Sequence, residues 1–171
     1  MKKIFIASSL WLLVSMSSCL KDNPAVDFTT VGTIIEILPP NGGGLENFDA
    51  AELDFDHAST SDSADIDLNI ASPNTLPAPL TITVGVNDAL RTEYNSANGT
   101  DYEAMPDSVY LIPVSKTTIP AGSRLDTIRV YFNPSKIDPS KNYMLPVSIT
   151  DAQGQTISGN FGSVYFHSNA D

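Results

Sequence analysis

The 171-residue sequence contains a single cysteine, Cys19. One thiol excludes an internal disulfide and is too few for a cysteine-rich metal site. Two lysines, an apolar run over residues 4–16 and two serines precede it. A charged start followed by an apolar run of about 13 residues is typical of a secretory signal, and it is shorter than the roughly 20 residues that span a bilayer. We therefore predict that residues 1–18 are a signal peptide.

Basic residues are also scarce. Nine Lys and Arg stand against 20 Asp and Glu, which gives a formal net charge of −11. Between Asp22 and Leu90 there are 12 acidic residues and no basic one. Binding to nucleic acid or to an anionic membrane surface needs a basic patch, so the sequence argues against both kinds of partner.

Tryptophan and catalytic motifs are lacking in the predicted mature chain. The only tryptophan is Trp11, within the predicted signal peptide, although tryptophan offers the largest ring for stacking on sugars. The two histidines, His57 and His167, fit no HExxH pattern, and there is neither a GxSxG elbow nor a GK[ST] phosphate loop. We therefore predict no catalytic residue, no metal site and no cofactor, and interpret both histidines as surface or rim residues.

The sequence does contain a series of short segments with alternating hydrophobicity. The clearest is ADIDLNIA at 64–71, where Ile66, Leu68 and Ile70 share one face, as in a half-buried antiparallel strand. Further strands are predicted at 31–38, 80–88, 108–113, 116–122, 125–132, 143–150 and 162–168, with a short one at 53–56. Seven or eight short strands separated by turn signals predict an all-β fold, an immunoglobulin-like antiparallel β-sandwich.

Three segments carry more specific predictions. Val86 is predicted to face inward from the strand at 80–88. Pro146 lacks a backbone donor, so the strand at 143–150 is predicted to be an edge or bulged strand. The segment 88–99 lacks period two and predicts the one short helix, with Asp88 as its cap, Gly99 near its end and Arg91 and Asn95 facing outward.

The stretch VSMSSCLKDNP at 14–24 resembles a bacterial lipoprotein signal, with Met16 where such signals most often carry leucine. The resemblance implies cleavage before Cys19 and lipidation of its thiol, with residues 19–30 as a flexible tether. LKDN after Cys19 resembles the export signals of surface lipoproteins, which implies an outer-membrane, cell-surface location. The alternative is an ordinary signal peptide cut after Ser18, which leaves a free thiol.

The second half of the sequence contains three segments that matter for a resemblance. In order, they are VGVNDALRTEYNSANGTDYEAMPDSVYLIP, TIPAGSRLDTIRVYF and YMLPVSITDAQGQTISGNFGSVYF. They resemble an immunoglobulin-like domain family of unknown function at the N-terminus of surface lipoproteins of the Bacteroidota, including some family 18 endoglycosidases. Part of them is similar to the Calx-beta motif. The resemblance implies that residues 31–171 form one immunoglobulin-like domain linked to glycan use, and it implies no chemistry.

Two sets of residues are candidates for ligand contact. Tyr94, Asn98, Asp101 and Tyr102 surround the polar segment NSANGTD and are candidate contacts to a sugar or a peptide. The alternative is that these tyrosines pack beneath a loop and bond their hydroxyls to neighbouring groups. The acidic segment 46–67 is interpreted as a solvated strand face, with calcium binding as the alternative.

These observations lead to two hypotheses of different class. The first is a lipid-anchored, non-enzymatic interaction or spacer module, with protein partners in a surface glycan-uptake complex. The second is a lipoprotein that binds carbohydrate directly through the Tyr94–Tyr102 region. The aromatic side chains discriminate between them, because buried rings favour the first and rings in an exposed concave patch favour the second.

Overall fold

The computed structural model describes residues 32–39 and 50–169. The predicted signal peptide, the tether and Cys19 lie outside the described residues, as do residues 46–49 of the acidic segment. The described part of the chain contains no helix with the length and hydropathy of a membrane span.

The described residues form eleven strands and one α-helix. In chain order they are β1 Ile34–Ile37, β2 Ala50–Glu52, β3 Asp62–Ala71, β4 Leu80–Val86, α1 Ala89–Asn98, β5 Glu103–Ala104, β6 Tyr110–Leu111, β7 Lys116–Ile119, β8 Leu125–Phe132, β9 Tyr143–Asp151, β10 Thr156–Ile157 and β11 Ser163–Ser168. Seven strands have four or more residues, namely β1, β3, β4, β7, β8, β9 and β11. The predicted sandwich of seven or eight strands with one short helix is therefore confirmed.

The strands form two sheets. Sheet 1 has the order β10-β1-β3-β8-β6, and sheet 2 has the order β2-β11-β9-β4-β7, with β5 also paired to β9. Every pairing among the seven longer strands is antiparallel. The parallel pairings each involve a strand of two or three residues, β10 on β1, β2 on β11 and β5 on β9.

The core lies between the sheets and is built by alternate residues of the strands. In β3 the residues Ile66, Leu68 and Ile70 are buried, as predicted, and β8 alternates strictly between exposed and buried positions along its length. Each fully buried aliphatic side chain contributes about 1.5–3 kcal/mol through the apolar surface that it removes from water. The strict alternation on β3 and β8 leaves the outer face of sheet 1 to solvent.

Two predicted strand details are wrong. The segment 53–56 is not a strand, because the chain leaves β2 after Glu52, although Phe55 still reaches the core at 8% exposure. Val86 has the period of the inward residues Ile82 and Val84 but is not buried, since it is 44% exposed. It is the last residue of β4, beyond a register shift between Thr83 and Val84 in the pairing with β9.

The prediction that β9 is an edge or a bulged strand is right in one of its two alternatives. The strand is not an edge strand, because it lies between β11 and β4. It does have a register shift, since Thr83 pairs with Asp151 and Val84 with Ile149, so that Thr150 is an extra residue on β9. On the β4 side, β9 is covered by two different strands. Pairing with β4 ends at Val86 opposite Val147, and pairing with β5 starts at Ala104 opposite Met144. Pro146 lies in the gap between them, where a missing backbone donor breaks no regular ladder, and its carbonyl accepts the Asn87 N–H at 3.0 Å.

Candidate functional site

Helix α1 begins after Asp88 and ends at Gly99, close to the predicted bounds. Gly99 has φ 67°, a left-handed conformation that glycine adopts without steric cost, and its N–H donates to the Asn95 carbonyl. The predicted side-chain cap is not formed. The carboxylate of Asp88 instead accepts two hydrogen bonds of 2.7 Å from Arg91, and this pairing lowers the pKa of Asp88.

Arg91 and Asn95 do not face outward as predicted, because both hold the loop that follows the helix. The Asn95 amide donates to the Tyr102 carbonyl at 2.9 Å and accepts the Tyr102 N–H at 3.0 Å. It also accepts the Thr100 hydroxyl at 2.8 Å, and Arg91 donates to the same Tyr102 carbonyl at 3.0 Å. Four polar contacts over a few residues thus fix the position of Tyr102.

The fixed loop completes an aromatic cluster, which we define as Tyr94, Tyr102, Tyr165 and His167. Ring centroids are 5.9 Å apart for Tyr94 and Tyr102, 5.4 Å for Tyr94 and Tyr165, and 5.3 Å for Tyr102 and His167. Tyr165 and His167 alternate along β11 with Val164 and Phe166, which face the core. The cluster therefore lies on the outer face of sheet 2, where α1 and the 99–105 loop cover it.

A chain of hydrogen bonds runs out of this cluster. The Tyr102 hydroxyl donates to Asn169 Oδ1 at 3.0 Å and lies 3.2 Å from His167 Nδ1. The Asn169 amide donates in turn to Glu52 Oε1 at 2.7 Å. Because the hydroxyl has one proton and gives it to Asn169, His167 Nδ1 is the donor to Tyr102. Burial lowers the pKa of His167 and raises the pKa of Tyr102, which favours the neutral form of both.

The structure brings some of the four candidate ligand residues together. Tyr94 and Tyr102 are half-buried ring neighbours, while Asn98 and Asp101 are exposed. Asn98 donates to the Tyr94 carbonyl at 3.0 Å, and Asp101 accepts from Asn142 at 3.2 Å. All four thus make contacts that stabilise the helix and its loop, and ligand contact by them stays a prediction.

Sequence reasoning did not select Tyr165 and His167, which complete the cluster. It also did not select Asn169 and Glu52, which continue the hydrogen-bond chain from it. His167 was interpreted as a surface or rim residue, whereas it is half-buried against Tyr102. The sequence signal for this environment is VYF at 164–166, three consecutive apolar or aromatic residues within a strand. In the structure all three are buried. A strand that is apolar on both faces is covered on both faces.

In the ranges that the structure describes, no three Asp, Glu, His or Cys side chains of the acidic segment converge. Asp65 accepts two hydrogen bonds from Arg129, at 2.7 and 2.9 Å, and Asp67 accepts one from Thr127 at 2.7 Å. These carboxylates stand on the outer face of sheet 1, as the solvated-face interpretation predicts.

The fold is similar to that of several solved structures. A Bacteroides ovatus ATCC 8483 protein to which carbohydrate binding has been attributed has a TM-score of 0.61 at 18% identity, over 72% of this chain and 36% of its own. EndoBT-3987 of Bacteroides thetaiotamicron, solved with a Man5GlcNAc product, has a TM-score of 0.54 at 17% identity, over 70% and 28%. The Calx CBD1 domain has a TM-score of 0.50 at 6% identity, over 82% and 98%.

This chain therefore spans about a third of the length of the first two proteins. None of the curated proteins matches its sequence. Residues 37–156 match a protein family whose description reads "-like, N-terminal domain", a range that covers more than half of the chain. Because the match covers more than half of the chain, this chain belongs to that family of N-terminal domains.

Proposed function

We propose that this protein is a non-catalytic interaction module that serves a glycan-uptake system at the cell surface. The observation that carries the proposal is an apolar pair on the open outer face of sheet 1. Leu111 of β6 and Tyr131 of β8 are register partners, so their side chains share one face, and they are 61% and 43% exposed. Adjacent exposed apolar side chains are typical of a protein contact surface. The structural likeness to part of EndoBT-3987, which was solved with a Man5GlcNAc product, supports the link to glycans.

A photo-crosslinking residue in place of Leu111 tests this proposal in living cells. We expect it to capture a component of the glycan-uptake system, identified by mass spectrometry of the outer-membrane fraction. Leu125 offers a matched control, because it is 58% exposed on the same sheet but lies at the other end of β8. Equal products from both positions, or products unrelated to glycan uptake, would refute the proposal.

The proposed location depends on lipidation of Cys19, which would anchor the protein to the outer membrane at the cell surface. More than one acyl chain is needed for stable anchoring, as lipoprotein processing would provide. The variant Cys19→Ser is expected to leave the membrane fraction or to remain unprocessed, and protease added to intact cells is expected to digest the parent protein. Unchanged membrane fractionation of the variant would contradict the anchor, and protease protection until lysis would contradict surface exposure.

The second candidate is direct carbohydrate binding through Tyr94, Asn98, Asp101 and Tyr102. It is supported by the carbohydrate binding attributed to the Bacteroides ovatus protein of similar fold. The geometry favours it less, because the two rings pack edge to face on each other and the Tyr102 hydroxyl is already bonded. We expect no strong sugar binding in calorimetry against a panel of host and plant glycans. A Kd in the low micromolar range, about −8 kcal/mol, that vanishes in Tyr94→Ala or Tyr102→Ala would promote this candidate.

A further inference from the structure

A pocket of about 420 Å³ lies between the segment that follows β2 and the end of β11. Two acidic residues, Glu52 and Asp54, line it, and its one basic residue is His57. The other lining residues are Leu53, Phe55, Ser168 and Asn169. Its volume lies within the range of about 300–1,000 Å³ that small-ligand pockets occupy. Among the described residues, no Lys or Arg lines it.

Ser168 is the feature that points to a ligand. It continues the row of β11 side chains that face the core, after Val164 and Phe166, and it is 3% exposed. Its Oγ has no hydrogen-bond partner within residues 32–39 and 50–169. Buried polar atoms nearly always have a partner, so a donor group that enters the pocket would satisfy this hydroxyl.

The other polar groups of the pocket define the charge of that donor. Glu52 Oε1 already accepts the Asn169 amide at 2.7 Å, and the Asn169 oxygen accepts the Tyr102 hydroxyl, so both side chains are held in place. Carboxylates accept hydrogen bonds and do not donate them, and two of them repel an anion. No three metal-ligating side chains converge in the described residues, so the pocket does not have the donor set of a metal site.

We propose that this pocket binds a cationic nitrogen group, the guanidinium or ammonium of an arginine or lysine side chain of a partner protein. This inference rests on the proposed function as an interaction module and names the chemistry of the partner. The group would donate hydrogen bonds to the carboxylate of Asp54 and to Ser168 Oγ. It would also donate to the carboxylate of Glu52, which can accept further hydrogen bonds beside the one from Asn169. The net charge of −11 would attract a basic partner from a distance, in a salt-dependent way.

The test is an NMR titration of the full-length protein in nonionic detergent micelles. The probes are N-acetylargininamide, N-acetyllysinamide and, as the uncharged isostere of the first, N-acetylcitrullinamide. We expect the cationic probes to shift the amide signals of Leu53, Asp54, Ser168 and Asn169, and the citrulline probe to leave them unchanged. No shift with either cation, an equal shift with citrulline, or a response to calcium alone would overturn the inference.

Two variants with matched controls extend the test. Asp54→Asn removes one exposed carboxylate and is expected to weaken probe binding roughly tenfold, the usual value of a hydrogen bond to a charged group. Glu93→Gln removes one charge on the exposed side of α1 and is expected to change nothing. Ser168→Ala is also expected to weaken binding, whereas Ser148→Ala, a buried serine bonded to Ser163, is not. Unchanged affinity in Asp54→Asn or in Ser168→Ala would contradict the proposed contacts.

Thermal unfolding of each variant shows whether it is folded. If Ser168→Ala does not fold, Asp54→Asn still tests the proposal. The two proposals fail in different ways. Capture of a glycan-system protein at position 111 without binding of the cationic probes would refute the pocket assignment alone. Binding of the probes without such capture would refute the proposed role in glycan uptake.

Discussion

The outer faces of the two sheets differ, although both sheets are built from short strands around one core. The outer face of sheet 2 is covered by α1 and the 99–105 loop, which bury Tyr165 to 4% exposure. The outer face of sheet 1 is open, and there Tyr131 remains 43% exposed. The burial patterns of the strands show the same difference. All residues of β9 from Tyr143 to Ile149 are buried, whereas β8 alternates between exposed and buried. Sheet 2 has thus given the outer surface of β9 and β11 to internal packing, and sheet 1 keeps a surface available to partners.

The largest expected difference between the faces is seen when one tyrosine of each is truncated. Tyr165→Ala removes a buried ring that packs on Tyr94, and we expect a loss of about 3–5 kcal/mol in the free energy of unfolding. Tyr131→Ala is expected to change it by less than about 1 kcal/mol, because its ring is largely in water. Urea denaturation of both variants measures this contrast, and equal losses would contradict the assignment of a covered and an open face.

The next effect concerns the polar clamp that holds the cover on sheet 2. Asn95→Ala removes three hydrogen bonds to Tyr102 and Thr100 and is expected to cost about 2 kcal/mol. It should also speed hydrogen exchange in the 99–105 loop. Asn98→Ala serves as the control, because Asn98 is exposed and makes one bond to a carbonyl of its own helix. If the two variants behave alike, the loop is held by its aromatic side chains and not by Asn95.

A smaller effect is expected from pH. Burial holds the pKa of His167 in the folded protein below its ordinary value of 6.5, which the unfolded chain retains. As the pH falls from 6.5 towards the folded pKa, the unfolded chain binds a proton that the folded protein does not, so stability decreases. Denaturation curves between about pH 8 and about pH 5 measure this decrease, because that range brackets the ordinary histidine pKa of about 6.5. The variant His167→Gln should lose that part of the pH dependence, and an unchanged profile would exclude His167 as its source.

The smallest effect is expected on the open face, from the ion pair of Asp65 with Arg129. The hydrogen bond from Arg129 lowers the pKa of Asp65, but both side chains are exposed, and exposed ion pairs contribute little to stability. Asp65→Asn should therefore change the unfolding free energy less than any variant above, and high salt should reduce even this difference. A loss as large as that of Asn95→Ala would show that the face is not open in solution.

The fold could be predicted largely from local patterns. The segment LDTIRVYF was predicted as a strand with the bounds that β8 has, because its alternation continues to both ends. The helix was placed within one residue at each end, because Gly99 supplies the left-handed conformation that ends it. The errors concern properties that the alternation of hydrophobic residues does not determine, namely how far the core extends and which strands are neighbours. Val86 has the right period but stands beyond the core, and Pro146 is tolerated in a central strand because two other strands leave a gap opposite it.

The candidate site was predicted only in part, since Tyr94 and Tyr102 were selected while the residues they contact were not. Tyr102 meets His167 across 65 positions of the chain, and Asn169 meets Glu52 across 117. The sequence by itself determined the positions of the seven longer strands, the inward faces of β3 and β8 and the position of the helix, because these follow from periods of a few residues. Only the tertiary structure decided which sheet is covered, which of the half-buried rings meet and where the pocket lies. Those features depend on how distant strands pack against each other, and no local period encodes that packing.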